Sequence, residues 1–333
     1  MKKRMIILTG MFLGATLLSG AGCKSVPSEE TTVYMPDGAP ALAFAKLMME
    51  DTAEDGVSYF VVDAKTIASK VTNEDAEKNA DFCVLPLTAA SKLLGAGEDY
   101  KLLGLVTQGN LFLLSKTEKT EYTAETLAGL IGKTVVVAQM NEVPGLTLKA
   151  TLSARGIAWQ ELKDGVEPSA EKVNLAIAAA TYDVELVAEP AVSKRLSMNK
   201  GWQVVGDLQK LYGAGEDGVY GFPQAALVAK TELLEEYGEW VGEFLESVES
   251  ADEWLLGASA QEIYQAVVSH FEDKGKTPVF SADVLTTETL GRCGVRFAYA
   301  SECKGEITTY LTGLRGVNES AAKLPADAFY WKK

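Results

Sequence analysis

The stretch PDGAPAL, Pro36 to Leu42, has a near echo later in the chain in NEVPGL, Asn141 to Leu146. Each follows a run rich in β-branched residues, TTVYM (Thr31–Met35) or KTVVVAQM (Lys133–Met140), and each leads into a helical pattern, ALAFAKLM or LTLKATLSA. Proline is favoured at the first helical position, where its missing N–H would have no partner anyway. Pro40 and Pro144 therefore predict two helix starts, each directly after a strand. The first-turn amides of Ala41 and Leu42, or of Gly145 and Leu146, are expected to point out from the carboxyl end of the preceding strand. Ligands of open α/β sheets sit at that edge, and a helix N-terminus attracts negative or electron-rich groups. Gly38 and Gly145 would let a ligand approach the backbone.

The echo extends outward. ADFCVLPLTAASKLL (Ala80–Leu94) lies over YDVELVAEPAVSKRL (Tyr182–Leu196) at an offset of 102 residues, with Asp81 above Asp183 and Ser91-Lys92 above Ser193-Lys194. LFLLSKT (Leu111–Thr117) matches AALVAKT (Ala225–Thr231), each a strand ending in Lys-Thr. Strand and helix patterns alternate from VYM through VSYFVVD, ADFCVLP, KLLGLVT, TVVVAQM, VELVAEP and QVVGDL, with helices expected at TAETLAGLIGK and SAEKVNLAIAAATY among others. Such alternation predicts α/β lobes, each a mostly parallel sheet flanked by helices. From Thr231 onward the pattern reads as nearly all helix. The expected organisation is a first lobe over 32–117, a second over 118–224, and a final segment 225–333 that returns to complete the first. LFLLSKT and AALVAKT would be the two crossing strands of a hinge.

The chain has 333 residues, 47% hydrophobic and 23% charged, enough for two core-bearing domains. At its start MKKR precedes the apolar run MIILTGMFLGATLLSG and then AGCKS, the pattern of an export signal over 1–22. Cys23, after Gly20-Ala21-Gly22, resembles a bacterial lipobox cysteine, although Gly20 stands where that pattern has Leu. Lipidated Cys23 would anchor the chain to the cell membrane outside the cytoplasm, with 23–31 as a polar tether. Loss of Lys2, Lys3 and Arg4 takes the net charge from −15 to −18, which repels nucleic acid. Cys83 reads as a buried small hydrophobe. Cys293 and Cys303, ten apart, could form a disulfide in an oxidising compartment or remain thiols.

Two facing rims with two crossings make a hinged cleft. In this respect the sequence resembles the solute-binding proteins of ABC importers, of the two-lobed type II periplasmic-binding-protein fold. PDGAPALAFAKLM, ADFCVLPLTAA, GNLFLLSK, GKTVVVAQMNEVPGLTLKATL and the terminal KLPADAFYW look like the branch of sulfonate, nitrate and thiamine-precursor binders. The resemblance covers essentially the whole mature chain; each motif is weak, and their order is specific. It implies a monomer that delivers a small organic solute to a membrane permease. It also implies ligand-facing positions at the strand-to-helix turns. In the first lobe these are Asp37, Gly38, Ala39, Pro40, Pro86, Leu87 and Thr88, with Gln108 and Asn110 near the hinge. In the second they are Gln139, Asn141, Glu142, Val143, Gly145, Thr147, Glu189 and Pro190. Tyr220 and Phe222 could supply a stacking face.

Asp37, Glu142 and Glu189 occur at these turns without Lys or Arg, which favours a polar or partly cationic solute such as a heterocyclic vitamin precursor over an anion. Arg292 or Arg296 folding into the cleft would reverse that preference. The alternatives are a sulfonate- or nitrate-type anion binder and an enzyme of the same fold acting on a pyrimidine or menaquinone precursor. Against the enzyme, the chain has one histidine, His270, and no marked serine elbow. No CxxC or HxxxH spacing suggests a metal, and no cofactor motif occurs.

Overall fold

The computed structural model describes residues 26–27, 30–51, 56–138, 140, 142–167, 182–198, 201–213 and 221–332. The export signal, Cys23, most of the tether and the expected helix SAEKVNLAIAAATY lie outside the described residues.

Val-, Tyr- and Met-rich Thr31–Pro36 forms β1, and VSYFVV forms β2 (Val57–Val62) parallel to it. Between them the expected single helix is two short ones, α1 (Ala39–Leu42) and α2 (Ala45–Glu50). β3 (Phe82–Pro86) runs into α3 (Leu87–Leu93), and β4 (Tyr100–Gln108) follows. The chain then enters a second sheet with β5 (Phe112–Ser115), β6 (Thr134–Ala138), α4 (Val143–Ala154) and β7 (Lys163–Glu167). β8 (Val184–Val187), α5 (Ala191–Ser197), β9 (Gln203–Asp207) and α6 (Leu208–Tyr212) complete it. β10 (Pro223–Lys230) returns to the first sheet. The remainder is α7 (Thr231–Gly257), α8 (Ala260–Ser269), α9 (Thr287–Arg292), β11 (Val295–Tyr299) and α10 (Lys304–Val317).

The larger sheet has the order β11-β4-β10-β3-β1-β2 and the smaller, among the described residues, β7-β6-β8-β5-β9. The α/β frame is as expected, with antiparallel strands set among the parallel ones. β10 is inserted antiparallel between β3 and β4, and β5 antiparallel between β8 and β9. Each inserted strand is the first that the chain lays down after crossing. The outward crossing is therefore earlier than the expected boundary at 118. β5 already belongs to the second sheet, so the outward passage lies between Gln108 and Phe112 and the return between Tyr212 and Pro223. LFLLSKT and AALVAKT do not pair as a hinge; each sits inside a different sheet. TAETLAGLIGK gives only a 3-10 turn at Leu127–Leu130. The tail, expected to be nearly all helix, contains a strand, β11, on the edge beside β4.

Burial follows the period of two along each strand. In β10, Ala226 and Val228 face one core cluster while Ala225, Leu227 and Ala229 face the other. One cluster is continuous from the larger sheet to the smaller, joining Cys83, Leu85 and Val228 to Leu113, Val135 and Leu186. The other lies between the larger sheet and α1, α2, α7 and α8. Among the described residues, the outer face of the smaller sheet carries Phe112, Leu114 and Val192 with partly buried Trp202. The cysteine pair is corrected here: Cys293 and Cys303 are separate buried thiols, one in each of the two large clusters. Burial pushes the Cys303 thiol up to about 12 and raises Cys293 further. No helix among the described residues is long and apolar enough to cross a membrane.

Candidate ligand-binding cleft

The strand-to-helix turns of the two sheets face one another across a cavity of about 440 Å³, within the range of small-molecule sites. From the larger sheet's lobe come Asp37, Gly38, Ala39 and Pro40 at the end of β1, and Pro86, Leu87 and Thr88 at the end of β3. Asn110 enters from the outward crossing, and Val143 and Glu189 enter from the second lobe with Pro144 and Pro190. These positions match the turns expected from sequence. Prolines 36, 40, 86, 144 and 190 all line the cavity, and their fixed φ gives a stiff wall.

Other expected positions stand elsewhere. Gln108 is buried at the end of β4, its N–H donating to the Gly294 carbonyl at 2.7 Å, and it does not line the cavity. Glu142 is exposed at the N-cap of α4. Gly145 serves its own turn rather than a ligand, since a Cβ there would meet the Met140 carbonyl oxygen at 2.1 Å. Gly38 has φ +118°, a conformation left to glycine, and space beside it. Gln139, Asn141 and Tyr220 lie outside the described residues.

Thr147 and Phe222 stand one layer behind the wall and position a residue that sequence reasoning missed, Tyr310 of α10. The Tyr310 ring lines the cavity and stacks on Phe222 with centroids 5.6 Å apart and planes at 20°. Its hydroxyl lies 2.9 Å from Thr147 Oγ1, which also donates to the Val143 carbonyl at 2.7 Å. Burial raises the Tyr310 pKa, so the hydroxyl is neutral. The available signal was the stripe Ile307, Tyr310, Leu311 and Leu314, in which a polar-tipped aromatic sits on the buried face of a helix. Gln224, Ala64, Pro36, Ala225 and Val279 also line the cavity without having been anticipated.

The expected amide-rich rim is narrower than the sequence implied. Ala41 and Leu42 both donate to the Gly38 carbonyl, at 3.0 and 3.3 Å, and Leu146 donates to the Glu142 carbonyl at 2.9 Å. Those N–H groups are occupied by their own turns. Pro40 and Pro144 fall at the second rather than the first helical residue.

The charges differ too. Glu189 lines the cavity with both oxygens engaged: Oε2 accepts from Ser193 N–H at 3.0 Å, and Oε1 accepts from Ser193 Oγ at 3.0 Å and Arg292 Nε at 2.5 Å. Its own N–H donates to Asn110 Oδ1 at 2.8 Å, which fixes Asn110 in the left-handed region at φ 76°. Arg292 thus reaches the edge of the cleft but neutralises a wall carboxylate rather than lining the cavity. Asp37 has no such cation among the described residues; its Oδ2 accepts from Val279 N–H at 2.9 Å. Burial is the main cause raising the Asp37 pKa, and nearby Asp63 adds to it. No Lys or Arg lines the cavity among the described residues. His270 is bound to the Ala266 carbonyl and Asp51 and takes no part in the wall.

No family model matches the chain, and no curated relative matches it. Solved structures do. An ABC transporter structure from Parabacteroides distasonis is 20% identical with a TM-score of 0.71, covering 91% of this chain and 99% of its own. The periplasmic aliphatic sulphonate binding protein SsuA from Escherichia coli is 15% identical with a TM-score of 0.67, covering 92% and 93%. The periplasmic nitrate-binding protein NrtA from Synechocystis is 12% identical with a TM-score of 0.57, covering 92% and 85%. The fold is that of the two-lobed periplasmic binding proteins.

Proposed function

We propose that the chain is an extracytoplasmic lipoprotein, anchored through Cys23, that captures a small organic solute between its lobes and delivers it to an ABC permease. The observation that carries this reading is the cavity of about 440 Å³ walled by corresponding turns from both lobes. A group held on two sides by separate sheets is suited to capture and release on hinge motion. Among the described residues, nothing in the wall is arranged as a nucleophile beside a base, which favours binding over catalysis as the role of the site.

The solute in this reading is polar and neutral or partly cationic, as in a heterocyclic vitamin precursor. Asp37, Asn110, Gln224 and Thr88 offer polar contacts and the Tyr310 ring an apolar face. The second reading takes the solute to be an anion, by likeness to SsuA and NrtA. Against it stand Asp37 in the wall and the absence of a lining Lys or Arg, both among the described residues; an anion beside a carboxylate is disfavoured.

A thermal-shift screen of the protein against vitamin precursors, nucleobases, amino acids and sulfonates tests this. A solute at a hundred times its Kd adds about 2.7 kcal/mol of stability. Stabilisation by neutral or cationic heterocycles is expected. Stabilisation by sulfonates alone would replace the first reading with the second, and turnover of a candidate solute would replace transport with catalysis.

A further inference from the structure

Arg292 ends α9, on the larger sheet's lobe, while Glu189 and Ser193 follow β8 of the smaller sheet. The guanidinium spans the edge of the cleft. Its Nε donates to Glu189 Oε1 at 2.5 Å, its Nη2 to Ser193 Oγ at 3.0 Å, and its Nη1 to Glu288 Oε1 of its own helix at 2.5 Å. Beside them Ser193 Oγ and Thr289 Oγ1 lie 2.7 Å apart. We propose that these groups form an interlobe latch in which Arg292 is a positioning residue. It holds the wall carboxylate Glu189 and biases the two lobes toward closure through contacts of the protein alone.

The two carboxylates that Arg292 holds differ sharply in burial. The Glu189 side chain is 0% exposed, whereas that of Glu288 is 79% exposed. Taking away one partner of a buried ion pair leaves the other charged and unhydrated, which is far costlier than losing a surface pair. If Arg292 were uncharged, the closed arrangement would keep Glu189 as a carboxylate without its cation. Parting the lobes lets water reach it. The fork geometry also matters, because a guanidinium donates in fixed directions to Glu189 and Ser193 while an ammonium is a point charge. The latch depends on the two-lobed fold and not on the transport role, so its failure would leave the solute-binding reading standing.

The test is the distance between the lobes in solution. Nitroxide labels are carried on ketone-bearing residues placed at exposed Gln160 and Glu253, one on each lobe, away from the chain's thiols. The full chain, stripped of solute by unfolding and refolding in detergent, is measured by pulsed dipolar spectroscopy. The parent should show a single short distance. Arg292→Met should raise the population of a longer distance by about tenfold or more. Arg292→Lys should lie between the two, and Glu288→Gln should match the parent. A folded Arg292→Met protein with the parent's distance would overturn the latch, as would Glu288→Gln opening as far as Arg292→Met. Should Arg292→Met fail to fold, Glu189→Gln decides in the same assay: a new longer distance supports the latch, and an unchanged one overturns it.

Discussion

Strand for strand, β4-β10-β3-β1-β2 of the larger sheet corresponds to β9-β5-β8-β6-β7 of the smaller. The likeness reaches single hydrogen bonds. Asp81 Oδ2 accepts from Thr32 N–H at 2.9 Å, and Asp183 Oδ2 from Thr134 N–H at 2.7 Å, each pair 49 residues apart in sequence. The differences begin around this shared frame. Lys230, at the end of β10, pairs with Asp81 at 2.9 Å, whereas Lys116, after β5, lies over the Trp202 ring at 4.8 Å. The helices α7 to α10 and strand β11 come from the unrepeated tail. That tail supplies Arg292 and Tyr310, the side chains that reach Glu189 and Thr147 of the other lobe. The repeated frame makes two facing rims, and the tail brings the groups that draw them together.

The comparison can be broken first at the cores. Phe82 is fully buried against Phe244 and Trp240, with centroids 4.7 and 6.1 Å away, so Phe82→Ala should cost about 3–5 kcal/mol in chemical denaturation. Val136 of β6 is backed, among the described residues, by partly buried Tyr182 and Trp202. Val136→Ala should cost about 1–2 kcal/mol. Equal costs would contradict the smaller apolar surface that Val136 loses. Next come the paired aspartates. Asp81→Ala strips both Thr32 donors and Lys230 of their partner and should cost about 2–3 kcal/mol. Asp183→Ala should cost about 1 kcal/mol. Reversal of that order by equilibrium unfolding would mean that the smaller sheet relies more on the shared bond.

A third test concerns β11, which has no counterpart in the smaller sheet among the described residues. Asp252 of α7 accepts from Phe297 N–H of β11 at 2.6 Å, and burial pushes its pKa up to about 6 from an ordinary 3.8. A carboxyl raised on folding gives stability that is fully present below about pH 4 and is lost as pH rises through about 6. With partial exposure discounted, the loss should be about 1–2 kcal/mol. Unfolding curves of Asp252→Asn against pH should be flatter across this window than those of the parent; identical slopes would remove Asp252 as the cause. The smallest effect is expected at Tyr310→Phe. It removes the hydroxyl facing Thr147, keeps the stack on Phe222, and should cost about 1 kcal/mol in thermal unfolding.

Much of the frame could be read from sequence because it depends on local signals. β-branched runs, proline-started turns and the echo of Ala80–Leu94 in Tyr182–Leu196 marked most strands and the cavity turns at Asp37–Pro40, Pro86–Thr88 and Val143. Where tertiary context decides, the reading failed. β11 is a short run, VRFAY, whose pairing with β4 nothing local announces. The early crossing had a signal, the Gly109-Asn110 dipeptide, both residues with positive φ; the apolar run LFLL obscured it by looking like a continuation of the first lobe. Arg292 and Tyr310 are distant in sequence from the turns they approach, so only the packing of α9 and α10 reveals them. Glu189 shows the same limit: its position at the cavity was foreseeable, its neutralisation by Arg292 was not.

The most direct test of solute capture between the lobes is a crystal structure of the chain with the solute that stabilises it most. Electron density is expected between the Asp37–Pro40 turn, Asn110 and Tyr310, in contact with both lobes. Density confined to one lobe, or in the surface hollow lined by Lys92, Arg315 and Lys323, would contradict capture by closure.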